Sequence, residues 1–84
     1  MGYHKNKIEK GIIGEASKIR EEYEEFMDAV EQEEKIMQLI ELSDLIGAIE
    51  AYTLKISGGS ITLDHLLSMK DLTKSAFEDG SRKW

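Results

Sequence analysis

Cysteine and proline are both absent from the 84 residues. Without cysteine there is neither a disulfide nor a thiolate metal site, and nothing calls for an oxidising compartment. Ordinary proline usage of about 5% would give roughly four in a chain this long, and their absence favours uninterrupted helices. Aromatic residues are few, at 7%, while 33% are charged. Long apolar runs are missing too: none approaches the roughly 20 residues of a membrane span. The N-terminus carries no apolar signal region, and Asn6 stands where a myristoylation signal needs Ser or Thr. These features lead to the expectation of a mostly helical, soluble, cytoplasmic protein. A chain of this size buries only about 60% of the surface its unfolded form exposes. It usually needs a disulfide, a metal or a partner subunit. With cysteine excluded, what remains is oligomerisation or a site built from oxygen and nitrogen ligands.

The net charge of −6 is unevenly spread. Residues 15–50 hold twelve Asp or Glu against Lys18, Arg20 and Lys35, a balance of −9, while the rest of the chain is at +3. An acidic centre argues against direct nucleic-acid binding, which needs a basic face, and is compatible with divalent cations. A Glu-rich helix face is most often simply solvated.

The apolar pattern predicts three helices, at about 15–32, 35–56 and 63–79, and hence a single all-α domain over residues 1–84. Residues 1–11 are polar and weakly periodic, an extended or frayed lead-in. Gly11-Ile-Ile-Gly14 has the spelling of an RNA-binding loop but lacks its strands and basic partners, so the glycines are read as punctuation. In the first helix Ala16, Ile19, Tyr23, Phe26, Met27 and Val30 form one apolar stripe. Glu31 to Glu34 mark a turn. The second helix is apolar nearly all round, from Ile36 to Ile56. Such a helix is buried on most sides, which this chain cannot achieve alone, so a second subunit is expected. Gly47 within it is suited to close helix packing. Ser57-Gly58-Gly59-Ser60 breaks the chain. Thr62 is then an N-cap, Ile61 and Leu66 stand as a hydrophobic staple, Asp64 suits the helix dipole and Gly80 is a stop. Leu63, Leu66, Leu67, Met69, Leu72, Ala76 and Phe77 are expected to supply the third helix's buried side, and the four Met residues to pack in the core.

Glu41 and Asp44 do not fit a solvated face. They stand three apart on the apolar second helix, on a face that continues through Leu45, Ala48, Tyr52 and Lys55. Carboxylates there are costly to bury unless their charge is compensated. The first helix offers a complement: Lys18, Glu22 and Glu25 align, with Glu21 and Asp28 beside them. In an antiparallel hairpin this stripe would meet Glu41 and Asp44 at the edge of the seam. All-oxygen ligands converging from facing helices suit a hard cation such as Mg²⁺. No His stands at these spacings, which argues against a di-iron Glu-x-x-His pattern and against zinc. His4 and His65 are isolated in the sequence and carry no assigned chemistry.

Glu21-Glu22-Tyr-Glu-Glu25, then fifteen residues, then Glu41-Leu-Ser-Asp44 resembles the EExxE…ExxD signature of the MazG-like, all-α nucleoside triphosphate pyrophosphohydrolases. Lys18-Ile-Arg-Glu21-Glu22 and Glu41-Leu-Ser-Asp44-Leu-Ile match the family's surrounding spelling, and the chain looks most like its short bacteriophage members. The resemblance covers residues 18–46 well and the third helix loosely.

The resemblance implies an enzyme that hydrolyses a (d)NTP to the monophosphate and pyrophosphate. Glu22, Glu25, Glu41 and Asp44 would hold Mg²⁺, with Mn²⁺ as a substitute. Glu21 would be an outer-shell acid or a water-orienting catalytic base. Lys18 and Lys55 would touch phosphate and Tyr52 would stack on a base, although solvated lysines and a packed tyrosine are the plainer readings. It also implies a helical bundle completed as a homodimer or homotetramer, because larger relatives supply four or more helices per chain. The setting would be the cytoplasm, that of the host for a phage-encoded member. A non-catalytic helical oligomer binding nucleotide or a host protein is the alternative.

Overall fold

The computed structural model describes residues 4–80, which form three α-helices and no strand. Helix α1 runs Ala16–Glu31, α2 Lys35–Ile56 and α3 Leu63–Glu78. The expected packing role of Met1 lies outside the described residues. Helices α1 and α2 pack against each other as a hairpin. The reversal takes three residues, with Glu33 in the left-handed region at φ 58°. Gln32, Glu33 and Glu34 donate their backbone N–H groups to Asp28, Val30 and Ala29, closing the end of α1.

The faces that meet are not those the apolar pattern favours. On α1 the buried residues are Glu21, Glu22, Asp28 and Ala29. On α2 they are Glu41, Ala48 and Thr53. The α1 stripe of Ile19, Tyr23, Phe26, Met27 and Val30 is centred about two-fifths of a turn away. Tyr23, Met27 and Val30 are substantially exposed, while Ile19 and Phe26 are half-buried. The expectation of an apolar seam with acids along its edge is therefore corrected. The acidic face of α1 is the seam, because the lead-in segment and the second helix both close over it.

The turn into α3 is built from side chains. The Ser57 hydroxyl donates to the Thr53 carbonyl at 2.7 Å and accepts the Ile61 N–H at 3.0 Å. Gly58 and Gly59 take φ of 63° and 88°, where a Cβ would be strained. Thr62 caps α3 as expected, and His65 completes a reciprocal capping box, its Nδ1 accepting the Thr62 N–H at 2.9 Å.

Beyond that start α3 is sparsely supported. It meets α2 only briefly, and no α1 packing is present among the described residues. None of its residues is buried; Leu67, Met69 and Leu72 are open to solvent. The expected buried side of α3, and the core role of Met27 and Met69, are corrected accordingly: Leu63, Leu66, Ala76 and Phe77 are only half-buried, and Leu67, Met69, Leu72 and Met27 are exposed. Among the described residues the only buried apolar ones are Ala29 and Ala48. The radius of gyration is 15.1 Å, against about 12 Å for a compact domain of this length.

The outer face of α2, opposite Glu41 and Ala48, presents Ile36, Leu39, Ile40, Ile46 and Leu54, all exposed. Gly47 lies on this face, where an added Cβ would meet nothing within 4 Å among the described residues. No helix of the described residues is long and apolar enough to cross a membrane.

Candidate metal centre

Helical periodicity places Lys18, Glu21, Glu22, Glu25 and Asp28 on one side of α1. The short turn then brings Glu41 and Asp44 of α2 opposite them. One ligand oxygen from each of Glu22, Glu41 and Asp44 lies within 4.8 Å of the others. Glu21, Glu22 and Glu25 form a second group by the same measure. The four acids singled out for metal are therefore gathered in overlapping sets that share Glu22. Glu22 and Glu41 are 5% and 3% exposed, whereas Asp44 stands at the solvent edge.

The electrostatics show a cluster short of positive charge. Lys18 Nζ bridges Glu21 at 3.0 Å and Glu22 at 3.1 Å. Those two hydrogen bonds raise its pKa above the usual lysine value. Lys10, largely in solvent, reaches Glu21 at 3.6 Å. Glu22 Oε1 and Glu41 Oε1 are buried with no hydrogen-bond partner at all. Native proteins rarely leave such atoms unsatisfied, and an orphaned, buried carboxylate oxygen is what a site for a hard cation requires. The donor set, oxygen from three facing carboxylates, suits Mg²⁺ or Mn²⁺. The residues present thus fit such an ion.

Burial, more than neighbouring charge, raises the Glu41 carboxyl, with Asp44 adding repulsion. Glu25 is pushed up to about 7, first by burial and then by the charge of Glu22. Glu21 behaves differently: burial pushes it up, but the Gly11 N–H at 2.8 Å and Lys18 outweigh that and hold it below the usual range. It is thus a fixed anchor for the lead-in segment. Gly11 itself is required there, because a Cβ would collide with the Ser17 backbone.

The lead-in was expected to be extended or frayed, and its tie to α1 is a finding. Asp28 gathers it. Its carboxylate accepts the backbone N–H of Lys5 and of Asn6, the Asn6 side-chain amide at 2.8 Å and the Gln32 amide at 2.8 Å. Burial opposes ionisation of Asp28, yet these donors bring its pKa down to about 2. His4 Nδ1 lies 3.0 Å from Asp28 Oδ2, and Nε2 lies 3.7 Å from Glu41 and 4.0 Å from Glu25. His4, isolated in the sequence, therefore stands in the cluster. Asp28 had a sequence signal, since it continues the Glu21, Glu25 row at helical spacing. His4 had none.

Tyr52 and Lys55 are not brought to the acids. They lie eight and eleven residues beyond Asp44 along α2, about 12 and 16 Å by helical rise. Tyr52 is half-buried, and Lys55 runs beside Gly14 in the last turn. His65 is at the surface and serves as a cap. A cleft of about 300 Å³, lined by His4, Asn6, Ile8, Lys10 and Glu25, opens beside the cluster.

No family model matches the chain, and neither a curated protein nor a solved structure matches it.

The shifts of Glu25, Glu41 and Asp28 imply a pH dependence for the metal-free protein. Glu25 at about 7, above its ordinary 4.5, means the native state keeps a proton that the unfolded chain has released between those values. Stability must fall as pH rises through that window, by at most about 1.4 kcal/mol per pH unit for one group. Glu41 acts in the same sense. Asp28, at about 2 against 3.8, adds stability above pH 3.8 that is lost as pH falls toward 2. Metal-free melts should therefore peak at roughly pH 4–5. Glu25→Gln should flatten the decline above that peak; a decline unchanged in the variant would contradict the assignment.

Proposed function

We propose that the chain is a Mg²⁺-dependent nucleotide pyrophosphohydrolase of the MazG-like, all-α kind, converting a (d)NTP and water to the monophosphate and pyrophosphate. The observation that carries this reading is the pair of orphaned oxygens, Glu22 Oε1 and Glu41 Oε1, buried between facing helices. Protein groups leave them unsatisfied, and the EExxE…ExxD spacing supplies the chemistry that would satisfy them.

Glu22, Glu25, Glu41 and Asp44 would hold the ion. When bound, Mg²⁺ supplies neutralisation of the triphosphate oxygens and of the charge that develops on pyrophosphate. The chain's own residues prepare that environment. Glu22 and Glu41, buried and fixed on two helices, present negative charge without the reorganisation that solvated acids would need. Lys18, partly exposed, is the ammonium at the cluster and would orient phosphate oxygens. Glu21 is committed to Gly11, Lys10 and Lys18, which supports its outer-shell role over that of a base. Tyr52 and Lys55 lie too far along α2 for a part at the reacting phosphate.

The functional unit would be a homo-oligomer. The exposed face of α2 from Ile36 to Leu54, with Gly47 open at its middle, and the uncovered α3 support a second copy as the missing part of the bundle. Light scattering at micromolar concentration should give at least twice the 9.6 kDa of the chain. Ile46→Glu, on that face and away from the acids, should shift the population to the monomer. A stable folded monomer of the unmodified chain would refute the assembly.

One observation favours the second reading, a non-catalytic helical oligomer binding nucleotide or a host protein: Tyr52, the one residue expected to stack on a base, lies about 12 Å along α2 from Asp44. Pyrophosphate release from a panel of nucleoside triphosphates separates the two. The proposal expects release only with Mg²⁺ or Mn²⁺, loss of most turnover in Asp44→Asn, and no orthophosphate. Nucleotide binding with no turnover of any triphosphate would favour the second reading.

A further inference from the structure

The position of His4 extends the carboxylate cluster beyond oxygen ligands. Its ring is held from one side and presented on the other. Asp28 Oδ2, buried and kept ionised by four further donors, takes the Nδ1 side at 3.0 Å. Nε2 is thereby turned toward Glu41 Oε2 at 3.7 Å and Glu25 Oε1 at 4.0 Å. A carboxylate fixing the far nitrogen of an imidazole is the usual support of a metal-ligating histidine. Both separations exceed a hydrogen bond. They come close to the edges of about 3.3–3.6 Å that ligands make around one ion at 2.0–2.2 Å, and a shift of a few tenths of an ångström closes the difference. The same three residues fall within 4.8 Å of one another by their ligand atoms. Independently of this grouping, Glu41 Oε1 is buried and unsatisfied. The cleft lined by His4, Lys10 and Glu25 gives the group access to solvent.

We propose that His4, Glu25 and Glu41 form a mixed nitrogen–oxygen site for a divalent first-row transition-metal ion, with Asp28 as the residue that orients the histidine. An imidazole nitrogen adds little for Mg²⁺, a hard ion, but much for Co²⁺, Ni²⁺ or Zn²⁺. The lead-in segment, through Lys5 and Asn6 on Asp28, becomes the element that makes the cluster discriminate between metals. The inference rests on the reading of the carboxylates as a cation site. It adds a ligand and a metal preference to it.

The test is direct binding of Co²⁺ and of Mg²⁺ to the full chain, by calorimetry and, for Co²⁺, by its visible absorption. Four proteins are compared: the unmodified chain, His4→Gln, Asp28→Asn and Glu22→Gln. The unmodified chain should bind Co²⁺ at least about tenfold more tightly than Mg²⁺. His4→Gln should weaken Co²⁺ by about 10–100-fold and change its spectrum, leaving Mg²⁺ within about twofold; Asp28→Asn should weaken Co²⁺ in the same direction but by less. Unchanged Mg²⁺ binding shows that the hairpin is intact in His4→Gln and Asp28→Asn. Co²⁺ affinity indifferent to His4→Gln overturns the inference alone, as does an equal fall for both ions, which would make His4 a mere tether. Mg²⁺ affinity indifferent to Glu22→Gln overturns the cation reading of the cluster, and this inference with it.

Discussion

Leaving a buried carboxylate without its counter-charge costs about 3–5 kcal/mol, while burying a whole leucine side chain returns only about 1.5–3 kcal/mol. That asymmetry governs this molecule. Glu22 and Glu41 face each other across the main helix contact among the described residues, and each has an oxygen with no partner. Among the described residues, the fully buried apolar side chains available to offset this are those of two alanines, Ala29 and Ala48. The remaining features reduce or redirect the same electrostatic cost. Lys18 lies across Glu21 and Glu22, and Gly11 offers a backbone N–H to Glu21. Asp28 is satisfied by a ring of donors drawn from residues 4–6 and Gln32. Burial, and after it the charge of neighbouring acids that these groups do not meet, makes the Glu25 and Glu41 carboxyls hold protons to higher pH.

A chain arranged this way gives up stability for a preorganised negative site. The hairpin contributes rigid placement of the acids, and the lead-in segment closes one side of them. The apolar surface that would ordinarily stabilise three helices faces outward instead, along α2 and α3. Site and surface thus divide the two helical faces between them. A second copy of the chain would supply the burial that the hairpin lacks, and a cation would supply the charge.

Much of this was legible in the sequence. The three helices, the Ser57-Gly-Gly break and the Thr62 cap follow from local pattern, because propensity and capping act over a few residues. The acids that converge could be named for the same reason: helical spacing fixes which carboxylates share a face, and a short turn fixes which helix lies opposite. Burial was misread. Ile19, Tyr23, Phe26, Met27 and Val30 have the periodicity of a core stripe, yet the face with Glu22 and Ala29 is the one that α2 covers. Periodicity reports that a helix is amphipathic, and it does not report which face one short chain covers by itself. His4 was beyond reach for another reason. Its partners lie 21 to 37 residues away in sequence, in a segment with no regular period, and are reached only because Asp28 holds the backbone of Lys5 and Asn6.

The central claim, that like charge buried between α1 and α2 is the strain a cation relieves, is tested most directly by a melt of Glu41→Gln beside Glu33→Gln. Glutamine at position 41 keeps the shape, removes one repelling charge and offers an amide donor to the acids around it. Glu33 sits exposed in the turn. Without metal, Glu41→Gln should melt above the unmodified protein. The unmodified protein should gain about 2.7 kcal/mol at a free Mg²⁺ concentration one hundred times its dissociation constant, and Glu41→Gln much less. Glu33→Gln should match the unmodified protein in both conditions. If the two variants melt alike with and without Mg²⁺, the buried acids are ordinary charges, and the account of the site is wrong.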